Sequence, residues 1–219
     1  MKTQFIAGSI GALLCVPLAS AAENMATVAA DRISVFKVPL VCPAAPQIGC
    51  GSASKPTLLD LEKQPGVIEA WLNRAGTRIA IVWKADSDAE TRRKVAAGLR
   101  EGHATELDRK SRDETVADFL SGKGWYRGSD VDRLSEEEAG IIAARLVKRV
   151  QTKGTLPNDK AERLRQVLTD SFRKMFTQGQ DQNALSVQEL AGDFLDEKQI
   201  VLLKEAIQEG VRPLPEDDR

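Results

Sequence analysis

The sequence predicts an α+β protein in two parts, a four-stranded sheet with two helices and then a small all-helical domain. Between residues 32 and 108, short runs that alternate apolar and polar residues take turns with helix-like segments. After residue 108 the chain is rich in charged residues, and apolar residues recur at helical spacing behind capping residues. Strands followed by a separate run of helices are typical of the α+β class.

The first half of the sheet region predicts a strand, a helix and a hairpin. Residues 33–41 alternate as a strand does, and Pro56 is placed where the first turn of a helix tolerates proline. Gln64, Pro65 and Gly66 end that helix. Residues 67–73 and 78–84 then form two strands that a turn at 74–77 joins.

The second half adds one helix and one strand. Ser87 and Glu90 form a capping-box pattern that predicts a helix start, and Gly102 ends the helix. Residues 103–107 make a short last strand. Residues 32–108 therefore follow the order β-α-β-β-α-β, which is the split β-α-β or ferredoxin-like sandwich, with both helices on one face of an antiparallel sheet.

Residues 112–210 are predicted to form the helical domain, with a glycine-rich break at 122–128. Helix starts are predicted at four capping positions, which are Ser135, Asn158, Ser186 and Asp196. The acidic run 136–138 is interpreted as a helix N-terminus that complements the helix dipole. Residues 211–219, which are acidic and contain prolines, are predicted to be a loose tail.

Residues 1–22 have the pattern of a secretory signal peptide. Lys2 precedes a mostly apolar stretch at 5–18 that is too short to cross a bilayer, and alanines at 21 and 22 offer a cleavage site. No later apolar run has transmembrane length, so we expect a periplasmic or secreted protein without membrane insertion. Cleavage leaves Cys42 and Cys50 as the remaining cysteines, in a compartment that permits disulfides.

Composition and motifs argue against several function classes. A charged content of 29% with a net charge of −1 is not the basic balance of a nucleic-acid-binding protein. The single histidine has no serine motif beside it, and no glycine-rich phosphate loop occurs. We therefore expect no enzyme activity beyond thiol chemistry.

The loop at residues 38–50 carries both remaining cysteines between a strand and a helix start. Three interpretations are open for Cys42 and Cys50: a structural disulfide, a site for a soft metal ion, or a redox-active pair. Zinc is not favoured, because it requires four ligands and the chain offers few. The helix dipole is expected to lower the pKa of Cys50.

Three pieces of the sheet region together resemble the heavy-metal-associated domain of copper chaperones, metal-transport ATPases and periplasmic mercury-binding proteins. They are FKVPLVC at 36–42, LEKQPGV at 61–67 and GLREGH at 98–103. The resemblance implies a ferredoxin-like fold in which Cys42 and Cys50 hold Cu(I) or Hg(II). That family places its two cysteines two residues apart, whereas seven residues separate them here.

His103 is the third candidate ligand. In a β-α-β-β-α-β order, alternate connections lie at the same end of the sheet, so the cysteine loop, the 74–77 turn and His103 are expected to meet there. The predicted function is exported soft-metal binding in metal handling or delivery, with the helical domain docking a membrane transporter or a periplasmic redox protein. The alternatives are a disulfide-stapled interaction module without metal and a thiol–disulfide exchanger.

Overall fold

The structure is a computed structural model that describes residues 28–178 and 186–218. Within these ranges the protein is a mixed α+β structure, with one five-stranded antiparallel sheet and seven α-helices. The predicted signal peptide, residues 1–22, lies outside the described residues. No helix in the described ranges has both the length and the apolar content needed to cross a membrane.

The elements follow one another in this order: β1 (Ile33–Lys37), α1 (Gly51–Glu62), β2 (Val67–Asn73), β3 (Arg78–Trp83), α2 (Ala89–Glu101), β4 (Thr105–Glu106), α3 (Arg109–Leu120), β5 (Trp125–Arg127), α4 (Asp132–Lys153), α5 (Asn158–Gln178), α6 (Val187–Ala191) and α7 (Glu197–Gln208). The strands lie side by side as β4-β1-β3-β2-β5. The sequence analysis did not identify β5, which pairs with β2 from Trp71↔Arg127 to Asn73↔Trp125.

The sheet is covered on both faces, which explains why its strands are apolar almost throughout. On one face Phe36, Ile79 and Ile81 pack with residues of α1 and α2. On the other face the residues that alternate with them pack beneath α3. There the Phe119 ring lies edge-on to Trp71 and Trp125, with centroids 5.9 and 5.2 Å away.

The helices α4 to α7 build a separate apolar core, and the cysteine loop packs into it. Cys42, Ala44, Ala45 and Ile48 are buried in the same cluster as α4 residues such as Ile142. The loop after β1 therefore lies between the sheet and the helical part. α4 therefore packs directly against the loop that carries the two sulfurs.

Three predicted helix starts are shifted in the structure. α1 begins at Gly51, so Pro56 lies in its second turn and not in its first. Asp88, not Ser87, is the N-cap of α2, and its carboxylate accepts a hydrogen bond from the Thr91 amide. The start predicted at Ser135 is wrong, because α4 begins three residues earlier at Asp132 and buries Ser135 in its first turn. A Cβ added at Gly51 would lie 2.4 Å from Ser135 Oγ, so these small residues let α1 and α4 approach closely.

The predicted starts at Ser186 and Asp196 are confirmed. The Ser186 hydroxyl accepts a hydrogen bond from the Glu189 amide. Asp196 and Gln199 form a complete capping box at the start of α7. Beyond α7, the segment predicted to be loose includes a 3₁₀ turn at Pro215–Asp218, and Asp217 pairs with Arg149 of α4.

Candidate functional site

The cysteine loop folds back on itself and brings its two ends together. Val41 and Gly49 form an isolated antiparallel bridge. On one side of it, the Cys42 amide donates to the Ile48 carbonyl at 2.9 Å, and on the other the Cys50 amide donates to the Leu40 carbonyl at 2.8 Å. The seven residues between the cysteines thus form a closed turn, so the long spacing in sequence does not keep the sulfurs apart.

The turn between β2 and β3 supports this loop from behind. The Leu40 amide donates to the Gly76 carbonyl at 3.0 Å, and the Gly49 amide donates to the Arg74 carbonyl at 2.7 Å. The sequence-based prediction that the 74–77 turn and the cysteine loop share one end of the sheet is confirmed by these bonds. The backbone of the site is therefore fixed by a second connection of the sheet.

We expect Gly76→Ala to destabilise the protein by about 2 kcal/mol or more. Gly76 has φ +69, which costs an alanine about 1–2 kcal/mol. Its added Cβ would also lie 2.4 Å from the Leu40 carbonyl oxygen and 2.5 Å from Gly49 Cα, and both are backbone atoms. Urea unfolding measures the change, and Gly98→Ala is the control, because nothing lies within 4 Å of a Cβ there. An alanine at position 76 that is as stable as wild type contradicts this account.

Cys42 is the inner sulfur. Its side chain is fully buried, and the Ala45 amide donates a hydrogen bond to its Sγ at 3.2 Å. Hydrogen bonding with Cys50 raises the pKa of the Cys42 thiol most, and burial and the nearby Glu138 carboxylate raise it further. Cys42 therefore keeps its proton at neutral pH.

Cys50 is the outer sulfur and the N-cap residue of α1. It is partly exposed, and its Sγ lies 3.5 Å from the Ser52 hydroxyl. Hydrogen bonding by the Cys42 thiol is the main cause that lowers the pKa of Cys50 to about 5, and Ser52 and the amides of Ser52 and Ala53 act in the same direction against burial. This confirms the predicted direction of the shift, although the neighbouring thiol contributes more than the helix end.

The rate at which Cys50 is alkylated should therefore rise with pH with a midpoint near pH 5, whereas the midpoint for an ordinary cysteine is about 8.5. The rate of reaction with iodoacetamide between pH 4 and 9, resolved by peptide mass, gives this midpoint. Cys42→Ala is the matched variant, since it removes the main cause and should move the midpoint upwards. A wild-type midpoint close to 8.5 would show that the two sulfurs do not interact as described.

Glu138 is the functional residue that the sequence analysis missed. It lies on the inner face of α4 with an exposed fraction of 6%, and its Oε2 has no hydrogen-bond partner in the described chain. Burial raises the pKa of the Glu138 carboxyl, hydrogen bonding with Cys42 lowers it, and the charge of Cys50 raises it again. Its position four residues before Ile142, within the apolar stripe of α4, is the signal that could have revealed it.

His103 lies elsewhere on the same end of the sheet. It is exposed after α2 with φ +66, and its neighbours Gly102 and Ala104 line a cavity of about 370 Å³ together with Leu40. Neither cysteine lines that cavity. Across residues 28–178 and 186–218, no three His, Cys, Asp or Glu side chains are arranged to hold a metal ion, so the structure brings Cys42 and Cys50 together without His103.

The arrangement is chemically a dithiol with unequal partners. Both cysteines are free in the structure, one as an accessible thiolate and one as a buried thiol. Two adjacent sulfurs of this kind are able to bind a soft ion or to form a disulfide. Comparison with protein-family models, with curated proteins and with solved structures found no match to this chain.

Proposed function

We propose that this protein is an exported soft-metal-binding protein that handles or delivers an ion of the Cu(I) or Hg(II) class. The observation that carries the proposal is the pairing of the Cys42 and Cys50 sulfurs by the closed loop. Soft ions prefer thiolate ligands. Cys50 already favours the thiolate form, and an ion that binds there replaces the proton of Cys42.

The proposed fold of the metal-binding part is the ferredoxin-like arrangement of heavy-metal-associated domains. Two observations support it. The elements β1-α1-β2-β3-α2-β4 follow the split β-α-β order, and four strands lie as β4-β1-β3-β2 with antiparallel neighbours. The two cysteines then occupy the connection between the first strand and the first helix, where the resemblance places the metal ligands.

Transfer of the ion to or from a partner is proposed to begin at Cys50. This sulfur is partly exposed, whereas Cys42 is buried behind it against α4. A thiol or thiolate of a partner reaches the exposed side first and exchanges with Cys50 before Cys42. A membrane transporter or a periplasmic redox protein, docked through the helical part, is the partner class that we propose.

The proposal is tested by the metal content of the reduced protein. Mature chain kept in reductant, titrated with Hg(II) and separately with Cu(I) under nitrogen, should bind one ion per chain and show the ultraviolet band of a thiolate complex. The Cys42→Ala/Cys50→Ala double variant is the matched control and should bind none. If reduced wild type binds no more metal than the double variant, the proposed function is wrong.

A second candidate function, thiol–disulfide exchange, is favoured by the unequal pKa values of the two sulfurs. In an exchange, the Cys50 thiolate attacks the disulfide of a partner, and the partner's departing thiolate takes up a proton. Cys42 then loses its proton to solvent or Glu138 and attacks Cys50, which releases the partner reduced and leaves a Cys42–Cys50 disulfide. Equilibration in glutathione buffers tests this idea, because a redox-active pair should have a reduction potential above about −300 mV.

A further inference from the structure

Three arginines line a small cleft at the edge of the sheet that β4 and β1 form. The cleft has a volume of about 230 Å³ and lies between β1, α2, β4 and the first turn of α3. Arg92 and Arg93 line it from α2, and Arg112 lines it from α3. The cleft is distinct from the cysteine site, since no residue of the loop at 38–50 lines it.

The open edge of β1 forms one side of this cleft. β4 is two residues long and pairs only with Phe36 and Lys37, so Ser34 and Val35, which line the cleft, have no strand beside them on that edge within the described chain. Unpaired backbone groups at a sheet edge form concave sites that anions occupy. The arginines therefore line a cleft at an open strand edge, which is the kind of concavity that binds anions.

The hydrogen bonds of these arginines leave several donors unused. Arg92 donates from Nη1 to the Asp31 carbonyl at 3.1 Å and lies over the Trp83 ring, but its Nε is buried without a partner among the described residues. A buried donor left unpaired in a native structure calls for a bound water or ion. The Nε of Arg92 is thus a donor that neither the Asp31 carbonyl nor another described residue satisfies.

Arg93 and Arg112 are even less engaged. The Nε of Arg93 donates to the Ala89 carbonyl at 3.2 Å, and the side chain of Arg112 forms no hydrogen bond or ion pair in the described part of the chain. The acidic residue that lines the cleft, Glu106, is already paired with Arg100 at 2.8 Å. Arg93 and Arg112 are exposed, so water screens the repulsion between them, and an anion in the cleft is attracted by all three arginines.

Positive charge is concentrated in the segment that lines the cleft. Residues 92–112 contain seven lysines and arginines but three aspartates and glutamates, although the whole chain has a net charge of −1. Planar guanidinium groups bind phosphate oxygens in a bidentate manner more effectively than lysines do. We propose that the cleft lined by Arg92, Arg93 and Arg112 binds a compact oxyanion of the phosphate class, either free or as the headgroup of a larger molecule.

Inorganic phosphate is the probe for this site. Amide chemical shifts of the full mature chain are followed during a phosphate titration at constant ionic strength, with chloride as the exchanged anion. We expect saturable shifts around Ser34, Arg92 and Arg112. Arg112→Gln should weaken binding about tenfold or more, as the loss of charge-assisted hydrogen bonds does, whereas Arg109→Gln on the same helix but outside the cleft should not.

Arg93→Gln is the second variant, since it alters a different helix and should weaken binding in the same way. The site is refuted if phosphate causes no saturable shifts, or if Arg109→Gln weakens binding as much as Arg112→Gln. The Cys42→Ala/Cys50→Ala double variant should bind phosphate unchanged, which separates this inference from the proposed metal function.

Vesicles that contain phosphatidate distinguish the source of the phosphate group. Vesicle binding that free phosphate and Arg112→Gln both abolish supports the site and assigns it to a lipid headgroup. Saturable phosphate binding without vesicle binding supports the site and assigns it to a soluble phosphate. Vesicle binding that neither phosphate nor Arg112→Gln affects, in a protein that shows no phosphate shifts, overturns the proposal.

Discussion

Replacing Cys50 with serine should lower the affinity for Hg(II) or Cu(I) by more than about 100-fold, since loss of a second-shell partner of a ligand alone costs 10–100-fold. The hydroxyl that replaces the sulfur is a hard ligand and stays protonated at neutral pH, so it neither attracts a soft ion nor releases a proton to it. Cys42 would remain as a single buried thiol with a raised pKa.

Competition with a chelator of known affinity measures this loss, with circular dichroism to verify the fold. Ser52→Ala is the matched control, because it removes the hydroxyl 3.5 Å from Cys50 Sγ but keeps both sulfurs. We expect it to retain one ion per chain. If Cys50→Ser binds metal as wild type does, the two-thiolate site is refuted. If the purified protein has a stable Cys42–Cys50 disulfide that metal does not displace, the stapled interaction module replaces the metal proposal.

The strands, and the end of the sheet at which the cysteine loop lies, can be predicted because the sequence patterns that indicate them span only a few neighbouring residues. Short runs rich in apolar and β-branched residues indicate β1, β2 and β3, and the turn at 74–77 is short and contains Gly76. The connection order then brings the cysteine loop to that turn without further information. The hydrogen bond from the Leu40 amide to the Gly76 carbonyl confirms that prediction.

The missed features depend on contacts between distant segments. β5 consists of three residues between glycines, and only its pairing with β2 makes it a strand. Glu138 belongs to an acidic run that looks like a helix start, until the true start at Asp132 places it within the helix facing Cys42. The spacing of Glu138 to Ile142 places Glu138 on the inner face of α4, but nothing in the local sequence shows that this face packs over the cysteine loop.

The C-terminal segment is joined to the same region by two arginines of α4. Arg145 Nη1 donates to the carbonyl of Ala44 in the cysteine loop at 2.7 Å and to the carbonyl of Val211 at 2.6 Å. Arg149 donates from Nε and Nη2 to the two carboxylate oxygens of Asp217 at 2.8 and 2.6 Å. The side chains of Arg149 and Asp217 are only 4% and 7% exposed, so solvent screens this pair very little.

Asp217→Asn should therefore destabilise the protein by about 2 kcal/mol at pH 7, because the lowered pKa of the carboxyl corresponds to a stabilisation of that size and Arg149 keeps its hydrogen bonds to the Gly210 and Arg212 carbonyls. Hydrogen bonding with Arg149 is the main cause that lowers the pKa of Asp217 from 3.8 to about 2. A lowered pKa in the folded state means that this stabilisation is complete above about pH 4 and is lost as the pH falls through 2. Urea unfolding at pH 7 and at several values between pH 4 and 2 should show that the difference in free energy of unfolding between wild type and variant becomes smaller as the pH falls.

Asp60→Asn, in an exposed pair with Lys63, is the control and should cost less than about 1 kcal/mol. An Asp217→Asn variant within about 1 kcal/mol of wild type at pH 7 would mean that the segment after α7 is not held by this pair.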